Sequence, residues 1–123
     1  DRLGLGGEAA SGARVLVLGC GDSGLSEELF DAGLRSVTSV DISAAIVTEM
    51  AARNMANRSG LTWLPGDVTR LELQDASFDV AIDVGVLDTL EAFAEDEGAA
   101  PEMLRHAHRV LVPNGTYVSV STQ

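Results

Sequence analysis

The apolar residues of the chain gather in short runs separated by polar, glycine-bearing segments, and the runs are of two kinds. Arg14–Leu18 is continuously apolar after its first residue, the mark of a strand buried on both faces. Ser36–Val40, Leu61–Leu64, Phe78–Asp83 and Thr116–Val120 predict four further strands. The segments between them carry helical spacing. Ser23–Ala32 places Leu25, Leu29 and Phe30 on one face and meets a stop at Gly33. Ser43 is a good N-cap for a helix from Ala44 to about Asn57, whose Ile46, Val47, Met50, Ala51 and Met55 lie mainly on one side. A helix is expected from Val86 to about Ala94, then a loop over 94–100, then a helix with Pro101 at its first position. In that last helix Glu102 near the start and Arg105, His106, His108 and Arg109 near the end suit the dipole. Pro65-Gly66 closes the third strand, and Pro113-Asn114-Gly115 reads as a turn. Residues 1–13 read as a loop or the remnant of an upstream helix, and 14–123 as one domain.

Strands alternating with helices predict an α/β fold, a Rossmann-like doubly wound parallel sheet covered on both faces. Right-handed crossovers then carry every strand's C-terminal end to one edge. Gly19, Asp41, Asp67 and Asp83 all fall at or just after such ends. The first strand runs into Gly19-Cys20-Gly21, and Asp41 follows about 20 residues later at the tip of the second strand, the spacing that binds a ribose. The glycine pattern alone suits a nicotinamide, a flavin or S-adenosylmethionine. The further acids at Asp67 and Asp83 favour the last, because an acidic cleft tolerates a sulfonium cation better than a pyrophosphate.

Composition narrows the partners. The chain has 123 residues and a formal net charge of −11, which disfavours nucleic acid and favours a basic protein or a cationic small molecule. No apolar run reaches the ~20 residues of a membrane helix. A single cysteine, Cys20, cannot form an internal disulfide and fits a reducing compartment; a cytoplasmic location is expected, or an organelle if a targeting segment is missing. It also offers no zinc site; Cys20 is expected as a small residue packed beneath the cofactor. Trp63 is expected at the sheet rim, Asp88 as a helix-start residue, His106 and His108 as exposed helix-end residues, and Glu91–Glu97 as a solvated run.

Taken in order, VLVLGCGDSGLS, SVTSVDIS, LTWLPGDVTRLELQDASFDVAID, GVLDTL and RVLVPNGTYVSVS resemble the class I S-adenosylmethionine-dependent methyltransferases. The likeness is greatest to the methyltransferase-like group that includes lysine methyltransferases of elongation factor one alpha. It extends over Arg14–Ser121. The resemblance implies that Gly19, Cys20, Gly21 and Ser23 line the methionine and ribose region, and that Asp41 holds the ribose hydroxyls. It implies that Ile42 packs on the adenine, that Asp67 and Val68 bound its other side, and that Asp83 lies at the fourth strand tip near the reacting methyl. Asp83 is then expected either as the catalytic carboxylate that orients the acceptor amine or as a structural residue. The implied reaction is methyl transfer to a protein lysine amine.

Three departures accompany the resemblance. The group's Asp-Lys-Gly-Thr-Leu-Asp pattern reads Asp83-Val84-Gly85-Val86-Leu87-Asp88 here, so two polar groups beside the expected transfer site are apolar. Val17 stands where many class I enzymes carry an acid that helps hold the methionine amino group, an acid that the resembled group commonly lacks. The chain ends just after the fifth strand, giving an expected sheet order of 3-2-1-4-5 without the usual last two strands. A fragment, or a partner covering the fifth-strand edge, is expected. Two other readings stand beside the enzyme: a catalytically inactive structural or regulatory subunit of the same fold, and a small-molecule methyltransferase.

Overall fold

In the computed structural model, which describes residues 12–21, 23–92 and 98–120, five parallel strands form one sheet in the order β3-β2-β1-β4-β5. The strands are β1 Arg14–Leu18, β2 Ser36–Asp41, β3 Leu61–Pro65, β4 Phe78–Val84 and β5 Leu111–Val120. The helices are α1 Leu25–Asp31, α2 Ala44–Asn54, α3 Val86–Ala92 and α4 Ala99–Val110, with a single 3-10 turn at Val68–Arg70. The expected order is the one found, and among the described residues β5 is an edge strand.

The pleat of the central strand builds two cores. Val15 and Val17 face Leu25 and Leu29 of α1 together with Val37, Val80 and Ile82. Leu16 and Leu18 face Ala107 and Val110 of α4 together with Val40, Leu71 and Ala81. Val15, Leu16, Val17 and Leu18, four of the five β1 residues, are fully buried, and each is worth roughly 1.5–3 kcal/mol. β1 is therefore the fixed axis from which the strand tips are positioned.

Polar ties set the helices. A buried hydroxyl pair, Ser26 and Ser39, joins α1 to β2 at 2.7 Å. Arg58 donates to Asp31 at 2.7 and 2.8 Å and lies 3.6 Å from Glu27, which also receives Arg53. Those pairs lash the end of α2 to α1. At the opposite end of the sheet from the strand tips, Arg14 pairs with Asp79 across β1 and β4.

Several boundaries differ from expectation. α4 starts at Ala99, so Pro101 is its third residue; a proline fits anywhere in a first turn, where the N–H has no helical partner. Pro113-Asn114-Gly115 lies inside β5, not before it. Its pairing with β4 jumps from Phe78↔Leu111 to Val80↔Thr116, and Asn114 absorbs the irregularity at φ +72. α2 ends at Asn54 and α1 begins at Leu25, both shorter than their apolar spacing suggests. The expected N-terminal loop, apart from its last two residues, and the acidic stretch 93–97 lie outside the described residues.

Candidate functional site

The site is built where the first three strands end. The chain leaves β1 through Gly19 at φ +70, and the Gly19 N–H donates to the Val40 carbonyl at 2.8 Å. Gly21 follows at φ +49, a backbone conformation that favours glycine, with open space where a Cβ would stand. The Gly21 N–H donates to Asp41 Oδ2 at 2.9 Å, and the Ser43 N–H donates to Asp41 Oδ1 at 2.9 Å. Each carboxylate oxygen thus takes one backbone donor and keeps acceptor capacity for a ligand. Ser43 itself is the N-cap of α2, as expected, its Oγ accepting from Ile46 N.

Asp67 stands across the gap, beyond β3. Its Oδ1 accepts from both the N–H and the hydroxyl of Thr69, at 2.9 and 2.7 Å. Those two bonds hold its carboxyl below the usual range, so it is an anion at neutral pH. The side chain caps the Val68–Arg70 turn through that oxygen, which fixes the orientation of the whole carboxylate.

Gly19, Asp41, Ile42, Asp67 and Val68 line one cavity of about 300 Å³. Its far wall, Val84, Gly85, Val86, Thr89 and Leu90, comes from the end of β4 and the start of α3. The cavity is at the lower end of the range for small-molecule sites. Ile42 is 75% exposed at its rim, an apolar surface without a protein partner large enough to hide it. A larger cavity of about 530 Å³ opens beside Arg70 and Leu71. It shares Asp67 but neither Gly19 nor Asp41, and so lacks the paired strand-tip groups.

Not every expected residue reaches the cavity. Cys20 is outside the lining, 3% exposed in the core against α1, and burial pushes its thiol up to about 11. Gly21 acts through its N–H on Asp41. Ser23 is exposed and its Oγ accepts from Leu25 N at 3.3 Å, a local bond at the entry to α1. Asp83 is absent from the lining and fully buried. Its carboxylate accepts from Val86 N at 2.6 Å, Leu87 N at 3.0 Å, Tyr117 Oη at 3.0 Å and Ser119 Oγ at 2.9 Å. Asp88 sits in the first turn of α3 as expected, with one buried oxygen, Oδ2, lacking a partner among the described residues.

The wall of Val84–Leu90 is not among the expected binding residues, although Val84 and Val86 are expected beside the transfer site. Its signal in the sequence is the pair of apolar departures at Val84 and Val86. Val86 also packs on the glycine turn: a Cβ built on Gly19 would lie 2.0 Å from Val86 Cγ2. His106 is likewise not a free helix-end residue. It is half-buried, its Nδ1 accepts from Arg109, and desolvation together with Arg105 and Arg109 lowers its pKa. Arg109 also donates to the Leu71 and Leu73 carbonyls, pinning the segment that follows Asp67. His108 is exposed, and Trp63 packs at the sheet rim as expected.

Comparison with known proteins points the same way. A family model described as "Methyltransferase domain" matches residues 16–119. The chain is 42% identical over 108 residues to an eEF1A lysine and N-terminal methyltransferase of Danio rerio, covering 88% of this chain and 16% of that one. It is 41% identical over 117 residues to EEF1A lysine methyltransferase 4 of Bos taurus, covering 89% and 46%. Among solved structures it is similar to an S-adenosylmethionine-dependent methyltransferase from Mesorhizobium loti, with a TM-score of 0.70 and 27% identity over 94% of this chain and 47% of that one. The chain spans less than half the length of these relatives.

Proposed function

The chain belongs to the methyltransferase domain family, among the class I S-adenosylmethionine-dependent enzymes, and we propose that it binds S-adenosylmethionine and directs its methyl group to a lysine amine of a protein. The observation that carries the cofactor reading is the meeting of Gly19, Asp41 and Asp67 around one cavity at the strand tips. The residues fit the group. Asp41 has acceptor capacity left for two ribose hydroxyls, and Asp67 Oδ2 for the adenine amino group. Ile42 and Val68 offer apolar contact to the base.

When bound, S-adenosylmethionine supplies an electrophilic methyl group on a sulfonium. The chain's contribution is alignment and desolvation, and a near-attack geometry is worth roughly 7–11 kcal/mol. Val84, Val86 and Leu90 make an apolar wall beside the cavity. Such a wall disfavours an ammonium and favours the neutral amine that can attack. A lysine acceptor is supported by the names of the curated relatives, which act on eEF1A lysine. A net charge of −11 suits a basic protein partner, and a free buried thiol suits the cytoplasm. The test is incubation with radiolabelled S-adenosylmethionine and purified eEF1A, followed by gel separation and acid hydrolysis. Label on lysine supports the proposal.

One observation favours a second reading, a domain that keeps the fold and not the activity. Val84 and Val86 replace the polar residues of the related group's pattern beside the transfer site. Cofactor binding without label transfer to eEF1A or to any protein of a cell extract selects that reading. Label on a small molecule alone selects a small-molecule methyltransferase.

A further inference from the structure

We propose that Asp83 is a positioning residue: its buried carboxylate locks the first turn of α3 and the end of β5 onto the tip of β4, and thereby fixes Val84 and Val86 as the cavity wall above Gly19. Asp83 is 0% exposed and stands on the α4 side of the sheet. A carboxylate offers about four acceptor sites, and four groups donate to this one. Two are the N–H groups of Val86 and Leu87, which open α3 and have no helical partner of their own. The others are hydroxyls of Tyr117 and Ser119, from the neighbouring strand. One side chain therefore ties together three elements.

The tie bears on the cavity through Val86. The same residue that donates to Asp83 at 2.6 Å presses its Cγ2 on Gly19. Between Val84 and Val86 the chain turns at Gly85, φ +73, whose N–H is held by the Val120 carbonyl at 2.8 Å. Fixing the ends of that turn fixes both valines. With its acceptor sites filled and its side chain outside the cavity lining, Asp83 has no lone pair turned toward a substrate amine. It does not serve as the proton acceptor.

The affinity and turnover parts of the test rest on the proposed cofactor reading; the exchange part does not. Asp83→Asn and Asp83→Ala are compared with the unaltered chain by amide hydrogen exchange without ligand, S-adenosylmethionine calorimetry and the pH profile of turnover. Asparagine caps a helix as well as aspartate does, and its amide can donate to the two hydroxyls, which also accept. Asp83→Asn is therefore expected to keep the protection of Val86 and Leu87, a similar pH profile, and affinity within about tenfold. Asp83→Ala is expected to lose that protection and more than about tenfold in affinity. Turnover abolished in Asp83→Asn with exchange and affinity intact would make Asp83 a proton acceptor and overturn the proposal. So would unchanged exchange at Val86 and Leu87 in Asp83→Ala. If the alanine variant does not fold, Tyr117→Phe combined with Ser119→Ala removes two donors and leaves the carboxylate. Faster exchange at the end of β5 and the start of α3 supports the tie, and unchanged exchange overturns it. Should the unaltered chain bind no S-adenosylmethionine, the proposed function falls, while the exchange data still decide the role of Asp83.

Discussion

Replacing Gly19 with alanine tests the contact on which the shape of the cavity depends. Gly19 has φ +70, and an L-residue there costs about 1–2 kcal/mol. Its Cβ would also stand 2.0 Å from Val86 Cγ2, so Val86 must move, at an overpacking cost of roughly 1–3 kcal/mol. Gly19→Ala should therefore lose about 2–5 kcal/mol of stability. Val86→Ala removes the offending methyl and leaves Val86 Cβ 3.5 Å from the new atom, an ordinary contact. The double variant should recover the packing part of the loss and retain the backbone part. A double-mutant cycle in urea, followed by the fluorescence of the single tryptophan, Trp63, should then give a coupling of about 1–3 kcal/mol. Losses that add to within about 0.5 kcal/mol would show that Val86 does not sit on Gly19, and the described wall would be wrong.

Further outcomes follow from the titrating groups. Cys20, buried and with its thiol pushed up to about 11, should resist a thiol reagent at pH 8 in the folded chain and react in urea; fast labelling without denaturant would place it at the surface. His106 has a pKa lowered from 6.5, so its contribution to stability is present above 6.5 and is lost as pH falls through the folded value. Glu27, Asp31, Asp67 and Asp79 are also lowered, from 4.5 or 3.8, and add a second loss at lower pH with the same sign. Tm should thus fall on acidification in two stages, and His106→Gln should remove the first; an unaltered first stage would mean that another group causes it.

What could be read from the chain alone was local. The run Val15–Leu18 is legible because both faces of that strand are buried, and a parallel sheet follows from strands alternating with crossovers, while its order comes from the family resemblance. The cradle of Gly19, Asp41 and Asp67 is legible because strand ends in such a sheet must converge. The rest depends on partners distant in sequence. Asp83 meets Tyr117 and Ser119 through strand pairing, which no short window reveals. Pro113-Asn114-Gly115 carries turn residues, yet pairing with β4 draws them into a strand. His106 looks like an exposed helix end until Arg109 folds across it. The packing of Val86 on Gly19 joins two elements whose contact has no local signature.

The cradle itself is tested most directly by calorimetric titration of S-adenosylmethionine into the unaltered chain and into Asp41→Ala. The variant loses both the anchor of the Gly21 and Ser43 N–H groups and the proposed acceptor for the ribose. One-to-one binding to the unaltered chain, weakened about a hundredfold or more in the variant, is the expected result. No binding to the unaltered chain, or equal binding to both, would contradict it.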